Sequence, residues 1–423
     1  MNKKQKSSNK KMDPLPDGWR LVRLGDSEIA EIRGSKKFPN YENVAFIPME
    51  YIPDSGIYAK YEVRPRSQIK SFTYCEKGDL LLAKITPSLE NGKQGIVPDN
   101  VPNGFALATT EVFPISCKRM NSLFLFYVLK HSCFRNKIIS SMTGTTGRQR
   151  ATKESVEKLF IPFPPLFEQV KIAEILSTVD QAIQKIIEAI EKTERLKKGL
   201  MQELLTKGIG HKEFKNTELG KLPKGWDIRQ LYEVVYINRE SVDPARDFPS
   251  IPFIYIDIDS VENETGLIKA PKEILGKNAP LRARRVVHHN DVIISTVRPY
   301  LRAFAIIPAK YDKQICSTGF AVLSCKEVLL PYFLFHVAFS EPFIAQCNRM
   351  MVGGQYPALN SSQVSRLKLP LPSIAEQSKI AEILNKIDER LEALRNRKEG
   401  LEKVKKGLME DLLTGKKRVK LED

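Results

Sequence analysis

A chain of 423 residues with 42% hydrophobic residues can bury more than one core, and ordinary domain sizes divide it into two or three units. Its 67 Lys and Arg against 50 Asp and Glu leave a formal charge of +17. That balance favours a polyanionic partner through release of phosphate counterions, with nucleic acid ahead of an anionic membrane surface. The longest uncharged apolar run, 328–339, contains Pro331 and His336 and falls far short of the ~20 residues that cross a bilayer.

In chain order, residues 1–13 read as a basic solvated tail with five lysines and no apolar stretch behind them, so a secretion signal is not expected there. Residues 14–165 mix short β-branched runs, such as 78–85, with one apolar helical stretch at 122–139, and read as a strand-rich α+β domain. Its Lys36, Lys37, Arg64, Arg66, Lys84 and Lys93 are cations that can meet phosphates or bases. A polar, glycine-punctuated loop follows, in which Thr145, Thr146, Arg148, Gln149 and Arg150 offer side chains that hydrogen-bond base edges.

Residues 166–207 carry a narrow heptad stripe, Ile172, Leu176, Val179, Ile183, Ile186, Ile190, Leu200 and Leu204, interrupted by Thr193 and Lys197. This predicts a long helix of roughly 60 Å, which needs an apolar partner. Residues 208–373 form a second α+β domain, with a strand signal at 291–297 and a helical stretch at 329–347. Its candidates for nucleic acid are Arg282, Arg284, Arg285, Arg298, Tyr300 and Arg302, joined by Gln355 and Tyr356 in the loop Gly353-Gly354-Gln355-Tyr356. For any one of these cations, an ordinary solvated surface charge is the plain alternative. Residues 374–415 repeat the stripe with Ile380, Leu384, Ile387, Leu391, Leu394, Leu401, Leu408 and Leu412; Lys398 and Lys405 break it without a partner visible in the sequence. Ser373 with Glu376 reads as a capping box, Gly208 and Gly415 as helix stops, and 416–423 as a charged tail.

The chain is thus an internal duplication. Leu15-Pro16-Asp17-Gly18-Trp19 returns as Leu222-Pro223-Lys224-Gly225-Trp226, and Ile161-Pro162-Phe163-Pro164 as Leu369-Pro370-Leu371-Pro372. Glu168-Gln169 and Asp180 return as Glu376-Gln377 and Asp388, and Lys198-Gly199-Leu200-Met201 as Lys406-Gly407-Leu408-Met409, at an offset of 208. Between these anchors the halves diverge. A repeated framework with variable content suits two different readers held in one geometry, the two helices pairing antiparallel about an approximate twofold; the alternatives are a dimerisation coiled coil or a protein-interaction scaffold whose charge serves solubility.

Signatures of chemistry are missing. Neither a Gly-x-x-x-x-Gly-Lys-Ser/Thr loop nor an Asn/Asp-Pro-Pro-Tyr/Phe tetrapeptide occurs, and the adjacent His288-His289 would point to opposite faces of a strand. The six cysteines, Cys75, Cys117, Cys133, Cys316, Cys325 and Cys347, lack Cys-x-x-Cys spacing, so no zinc site or disulfide framework is expected, and a reduced, cytoplasmic setting is.

With Leu-Pro-x-Gly-Trp opening each half, Pro-x-x-x-Glu-Gln entering each helix and Lys-Gly-Leu-Met-x-x-Leu-Leu-Thr closing it, the sequence resembles the specificity subunit of a Type I restriction-modification system over essentially its whole length. The first helix entry departs slightly, with Phe163-Pro164-Pro165 in place of Leu371-Pro372. The resemblance implies two target-recognition domains, each reading one half of an interrupted double-stranded DNA target, and helices that set the unread gap. It implies partners as well: two methyltransferase subunits that bring S-adenosylmethionine, and motor-nuclease restriction subunits that bring ATP and Mg. No cofactor and no catalysis are expected of this chain, and the framework motifs do not say which residues read bases.

Overall fold

The computed structural model describes residues 15–145, 147–351 and 357–419. They fall into two compact units, one of Met1–Glu188 with Arg395–Asp423, the other of Ala189–Leu394.

In the first unit, β1 (Arg20–Arg23), β2 (Ala30–Ile32), β3 (Asn43–Ile47), β4 (Glu62–Pro65), β5 (Thr73–Glu76), β6 (Leu80–Ala83), β7 (Gln94–Ile96), β8 (Phe105–Ala108) and β9 (Val112–Cys117) come first. Helices α1 (Ser122–Lys130), α2 (Ser132–Ile139) and α3 (Lys153–Glu157) and strand β10 (Phe160–Phe163) lead into the long α4 (Leu166–Lys207). The sheets are ordered β2-β9-β6-β7 and β4-β3-β8-β5, with β1 and β10 paired as a separate antiparallel ribbon. Strand β6 explains the layering. Leu80 and Leu82 join the cluster that holds Phe124, Tyr127 and Phe134 of α1 and α2, whereas Leu81 points the other way into Ala45, Ile47, Cys75 and Ala106. A strand apolar at every position belongs in a middle layer, because successive side chains face opposite sides.

The second unit repeats the plan. It runs β11 (Phe214–Thr217), β12 (Gly220–Pro223), β13 (Asp227–Gln230), α5 (Leu231–Val234), β14 (Val235–Ile237), α6 (Pro244–Asp247), β15 (Pro252–Ile256), β16 (Lys272–Leu275), β17 (Ala283–Val287), β18 (Val292–Ser295), β19 (Phe304–Ile306), β20 (Gln314–Ser317) and β21 (Phe320–Cys325). Then come α7 (Pro331–Ala338), α8 (Glu341–Met350), α9 (Ser361–Ser365), β22 (Lys368–Leu371) and the long α10 (Ile374–Leu413). Sheets β14-β21-β18-β19 and β16-β15-β20-β17 reproduce those of the first unit, with Val292 and Ile294 facing helices and Ile293 facing the second sheet. The single helical stretches expected at 122–139 and 329–347 are each two helices. His131 breaks the first and its ring accepts from the Cys133 N–H to start α2, while Pro342 opens α8.

Within each unit a stretch of α4 packs against a stretch of α10. In the first unit Ile172, Ala173 and Leu176 share a core with Trp19, Met409, Leu412 and Leu413. In the second, Leu204 and Leu205 meet Trp226, Ile380, Ala381 and Leu384. The pairing is antiparallel, since Glu168 bonds Arg418 while Asp180 bonds Lys405 at 2.5 Å, and Lys197 bonds Asp388 at 2.5 Å while Glu376 accepts from the Ile209 N–H at 2.9 Å. Asp180 and Asp388 are repeat equivalents, as are Lys197 and Lys405, so one largely buried Asp–Lys bridge occurs twice. This explains two of the lysines that interrupt the seams; Lys398 instead bonds Glu402, one turn along its own helix, at 3.3 Å.

The Glu-Gln pairs carry the other repeated contact. Trp19 Nε1 donates to Glu168 at 3.1 Å and Trp226 Nε1 to Glu376 at 2.9 Å. Gln169 accepts from the Asn121 N–H and donates to the Pro164 carbonyl, and Gln377 accepts from Leu330 and donates to Val328 and Pro372. Glu376 therefore does not close a capping box with Ser373: its carboxylate is turned to Trp226 and His211, leaving half of the box, the Glu376 N–H 3.4 Å from Ser373 Oγ. At the helix ends Gly208 and Gly415 adopt φ of +66° and +78°, where a Cβ would lie 2.7 Å from Trp226 and 2.6 Å from Pro16. Glycine is required there on both counts.

Two expectations follow for stability. Lys405→Met takes the cation from the Asp180 carboxylate, which keeps the Tyr127 hydroxyl, and should cost on the order of 2–3 kcal/mol in urea denaturation of the full chain, whereas Asp180→Leu and Tyr127→Phe added to Lys405→Met should return to within about 1 kcal/mol of wild type. His336 of α7 is buried, with Nε2 bonded to Asn385 at 2.7 Å and Nδ1 without a hydrogen-bond partner among the described residues. Burial pushes its pKa down to about 4, against the pull of Asn385 and Asp388. The unfolded chain then takes up the proton first, so the contribution is complete above the ordinary imidazole value near 6.5 and is lost as pH falls towards 4. The stability difference between wild type and His336→Gln should shrink by on the order of 3 kcal/mol across that window, read by denaturant melts at each pH.

Candidate nucleic-acid interface

Strands β3 and β8 run parallel, with Phe46 opposite Leu107, and β5 runs against β8, so the first unit's second sheet has two distinct ends. At the end where β3 and β8 begin sit Lys36, Lys37, Arg64 and Arg66. Three of them are engaged internally. Lys36 donates to Glu76 at 2.6 Å; Arg64 pairs with Glu62 and lies 4.7 Å over the Phe46 ring; Arg66 donates to the Ile69 carbonyl at 2.7 Å and lies 4.7 Å over Phe72. The Lys36 bond holds the Glu76 carboxyl below the usual carboxylate range. Lys37 is exposed beside Phe38, which stacks on Tyr74.

At the opposite end the chain past β6 meets the loop ahead of α3. Thr143 and Arg150 exchange both backbone hydrogen bonds, closing a small hairpin, and Thr86 N–H donates to the Gln149 carbonyl and Ala151 N–H to that of Lys84. The Lys84 N–H in turn bonds the carbonyl of Glu111, in the turn between β8 and β9. The hairpin depends on Gly144, at φ +127°, where a Cβ would press on the Arg148 carbonyl at 2.9 Å. Thr145 and Arg148 are exposed and Gln149 half-buried. Arg150 offers its fork to Glu111, Nε at 3.1 Å and Nη2 at 3.0 Å, which holds the Glu111 carboxyl low. Lys84 is half-buried with its ammonium 5.2 Å over Phe113, and Lys93 is turned inward to the Met49 carbonyl at 3.0 Å. Thr146 lies outside the described residues. The sequence carries no signal for Glu111, because its partner is 39 positions away.

The second unit has the same junction with other side chains. The Thr296 N–H and hydroxyl both bond the Gly319 carbonyl, and the Leu359 N–H bonds that of Thr296, matching the Lys84–Glu111 and Ala151–Lys84 bonds of the first unit. Val297 bridges Ala358, and Arg298 N–H bonds the Pro357 carbonyl. This seats the chain flanking 352–356 on the segment after β18; Gln355 and Tyr356 themselves lie outside the described residues. Arg282 joins the same end, its carbonyl accepting from the Thr318 N–H at 2.8 Å. Arg282 and Tyr300 are exposed. Arg284 is bound to Asp243 at 2.5 Å and Arg302 to Glu341 at 2.6 Å, while Arg285 is half-buried on the Phe320 carbonyl, burial lowering its pKa. Arg298 and Arg302 adopt left-handed backbone, φ 48° and 55°, on either side of a short turn at Pro299–Leu301. Non-glycine residues hold that conformation where surrounding structure imposes it, often at functional sites.

The second unit thus gathers its candidate arginines at one end of its sheets, the end equivalent to the 84–86 and 143–151 junction. The first unit divides its own between two ends.

A sequence family described as the Type I restriction modification DNA specificity domain matches residues 16–193 and again 223–403. Two relatives come from Methanocaldococcus jannaschii. The Type I restriction enzyme MjaVIII specificity subunit is 31% identical, with 96% of this chain and 94% of the relative covered. The putative type I restriction enzyme MjaX specificity subunit is 32% identical over 81% and 79%. Among solved structures, the Type-I restriction-modification system S subunit from M. genitalium superposes with a TM-score of 0.56 at 14% identity, over 96% of this chain and 97% of that one, a likeness of fold. The chain belongs to the Type I restriction-modification DNA specificity subunits, one specificity domain in each half.

Proposed function

We propose that each unit reads one half of a bipartite, asymmetric DNA target with the loop junction at one end of its sheets, and that the paired long helices set the length of the unread gap. The observation that carries this is the duplicated junction: the same backbone bonds seat two loops in each unit, while the side chains displayed there differ. Backbone bonds fix position without regard to side chain, so one scaffold can present two specificities. In the first unit Lys84, Thr145, Arg148 and Gln149 face the DNA, with Arg150 held by Glu111 as their support; Thr146, outside the described residues, belongs to the same candidate set. In the second, Arg282, Arg298 and Tyr300 do so, with Arg302 held by Glu341 as their support; Gln355 and Tyr356, outside the described residues, belong to the same candidate set. Lys36, Lys37, Arg64, Arg66 and Lys93 take a lesser part, being tied to internal partners or set at the far end; Arg284 and Arg285 hold the second junction together.

The chain supplies recognition only. Two methyltransferase subunits bring S-adenosylmethionine, and restriction subunits bring ATP, Mg and cleavage, in the cytoplasm; among the described residues no helix is long and apolar enough to cross a membrane. The isolated chain should bind DNA with an affinity that falls steeply with salt and should neither methylate nor cleave it.

The direct test is methylome sequencing of a host that expresses this chain with its methyltransferase partner, against the same host lacking it. A two-part interrupted motif that vanishes with the chain is the expected result, and unchanged methylation would overturn the reading. Arg148→Ala with Gln149→Ala should weaken selection in one half of that motif by about tenfold or more and leave the other half intact. Removing one heptad from each long helix, 183–189 and 391–397, keeps both Asp–Lys bridges and shortens each helix by roughly 10 Å. The motif should keep both half-sites and lose about three base pairs of gap; an unchanged gap would rule out a ruler made of these helices.

A further inference from the structure

We infer that the second unit reads thymine methyl groups with two apolar prongs, Leu281 and the pair Tyr300-Leu301. This rests on the DNA-reading assignment above and adds a mode of contact to it. A single exposed hydrophobic side chain is ordinary on a protein surface. These three differ in where they stand. Leu281 is 86% exposed at the corner of a tight turn, closed by the Ala283 N–H on the Pro280 carbonyl at 2.9 Å. Tyr300 and Leu301, 43% and 44% exposed, occupy the tip of a second tight turn, closed by Leu301 N–H on the Arg298 carbonyl and Arg302 N–H on that of Pro299.

Both turns rise from the same end of the sheets. The Thr318 N–H holds the Arg282 carbonyl of the first, and the neighbouring Gly319 carbonyl accepts from Thr296, just ahead of the second. Each apolar tip is bordered by arginine, Arg282 beside Leu281, and Arg298 and the Glu341-bound Arg302 on either side of Tyr300-Leu301. Left-handed backbone at those two arginines turns the chain sharply enough for Tyr300 and Leu301 to project. Cations that meet phosphates, placed around aliphatic and aromatic tips, fit a groove whose floor offers apolar groups. In duplex DNA the apolar group presented at a base edge is the C5-methyl of thymine, in the major groove. Among the described residues of the first unit no large hydrophobic side chain stands exposed between β6 and β7, where Leu89 is turned into the core.

The experiment uses the full chain assembled with its methyltransferase partners, on duplexes carrying the methylated motif. Replacing thymine by uracil in the half-site of the second unit deletes the methyl and keeps the pairing. Wild type should bind each such duplex about fourfold more weakly per contacted methyl, whereas uracil in the gap should have no effect. Leu281→Ser and Leu301→Ser should each weaken binding to the thymine duplex similarly, become indifferent to uracil at the position its own prong contacts while still responding at the other, keep the salt slope and keep the wild-type melting temperature. Wild type that discriminates both half-sites but ignores uracil, or variants that bind as wild type does, would overturn the prongs and leave the reading of DNA standing. A rise in 2-aminopurine fluorescence at the half-site without a response to uracil would also overturn them, since it would mean a wedge that unstacks bases. A complex that prefers neither half-site to random duplex would remove the DNA-reading assignment and this inference together.

Discussion

A carboxylate just inside the start of each long helix, buried at Glu168 and half-buried at Glu376, decides where helix and globular part meet. Glu168 takes the indole N–H of Trp19, and Glu376 takes that of Trp226. An unpaired carboxylate in such a place would be unfavourable, and each has a second partner beside the tryptophan, the Arg418 guanidinium in one unit and the His211 ring in the other. Next in sequence, the amides of Gln169 and Gln377 take up backbone groups that the approach to α1 and α7 leaves unbonded. The tolerance is small. Directional bonds from several segments converge on two adjacent side chains, and a Cβ at the terminal glycines would press on Trp226 in one unit and on Pro16 in the other. Everything more distant in each unit, including the loop junction, inherits its position from this corner.

The Asp–Lys bridges act on register. A seam of leucine and isoleucine is permissive, because sliding by one heptad replaces one aliphatic contact with another. Lys405 can be satisfied only opposite Asp180, and Lys197 only opposite Asp388, so a slipped pairing would leave charges uncompensated inside the seam. Around them the two units have diverged. Tyr127 gives its hydroxyl to Asp180, while His336, in the corresponding place on α7, turns to Asn385. The burial that drives the His336 proton off pushes the Tyr127 hydroxyl well above the ordinary phenol range. One position in the repeat thus takes two side chains, each neutral at physiological pH, which is what a dry interface beside an ion pair demands.

The units also diverge at the proposed DNA-reading junctions. The loop junctions share their backbone bonds, yet an Arg–Glu clasp at Arg150 and Glu111 stands in one unit and two left-handed arginines about an exposed apolar tip stand in the other. Hydrogen bonds between main-chain groups survive almost any substitution, so variation in the side chains can proceed without loss of the frame that carries them.

By itself the sequence determined the duplication, the two long helices with their period, the strand-rich domains between them and the family. All of these are written in local patterns or in exact recurrence, which depend on neighbours a few positions apart. It could not say that Glu376 would serve Trp226 in preference to the helix start, nor that the lysines breaking the seams were bridge partners, since those contacts span roughly 150 residues or more. Nor could it sort the candidate cations. Lys36, Arg64 and Lys84 look alike in a sequence, but the parallel pairing of β3 with β8 sends the first two to one end and the chain after β6 sends the third to the other. Which arginines are tied to carboxylates, and which hydrophobic side chains remain in water, is decided only when strands distant in sequence are brought side by side.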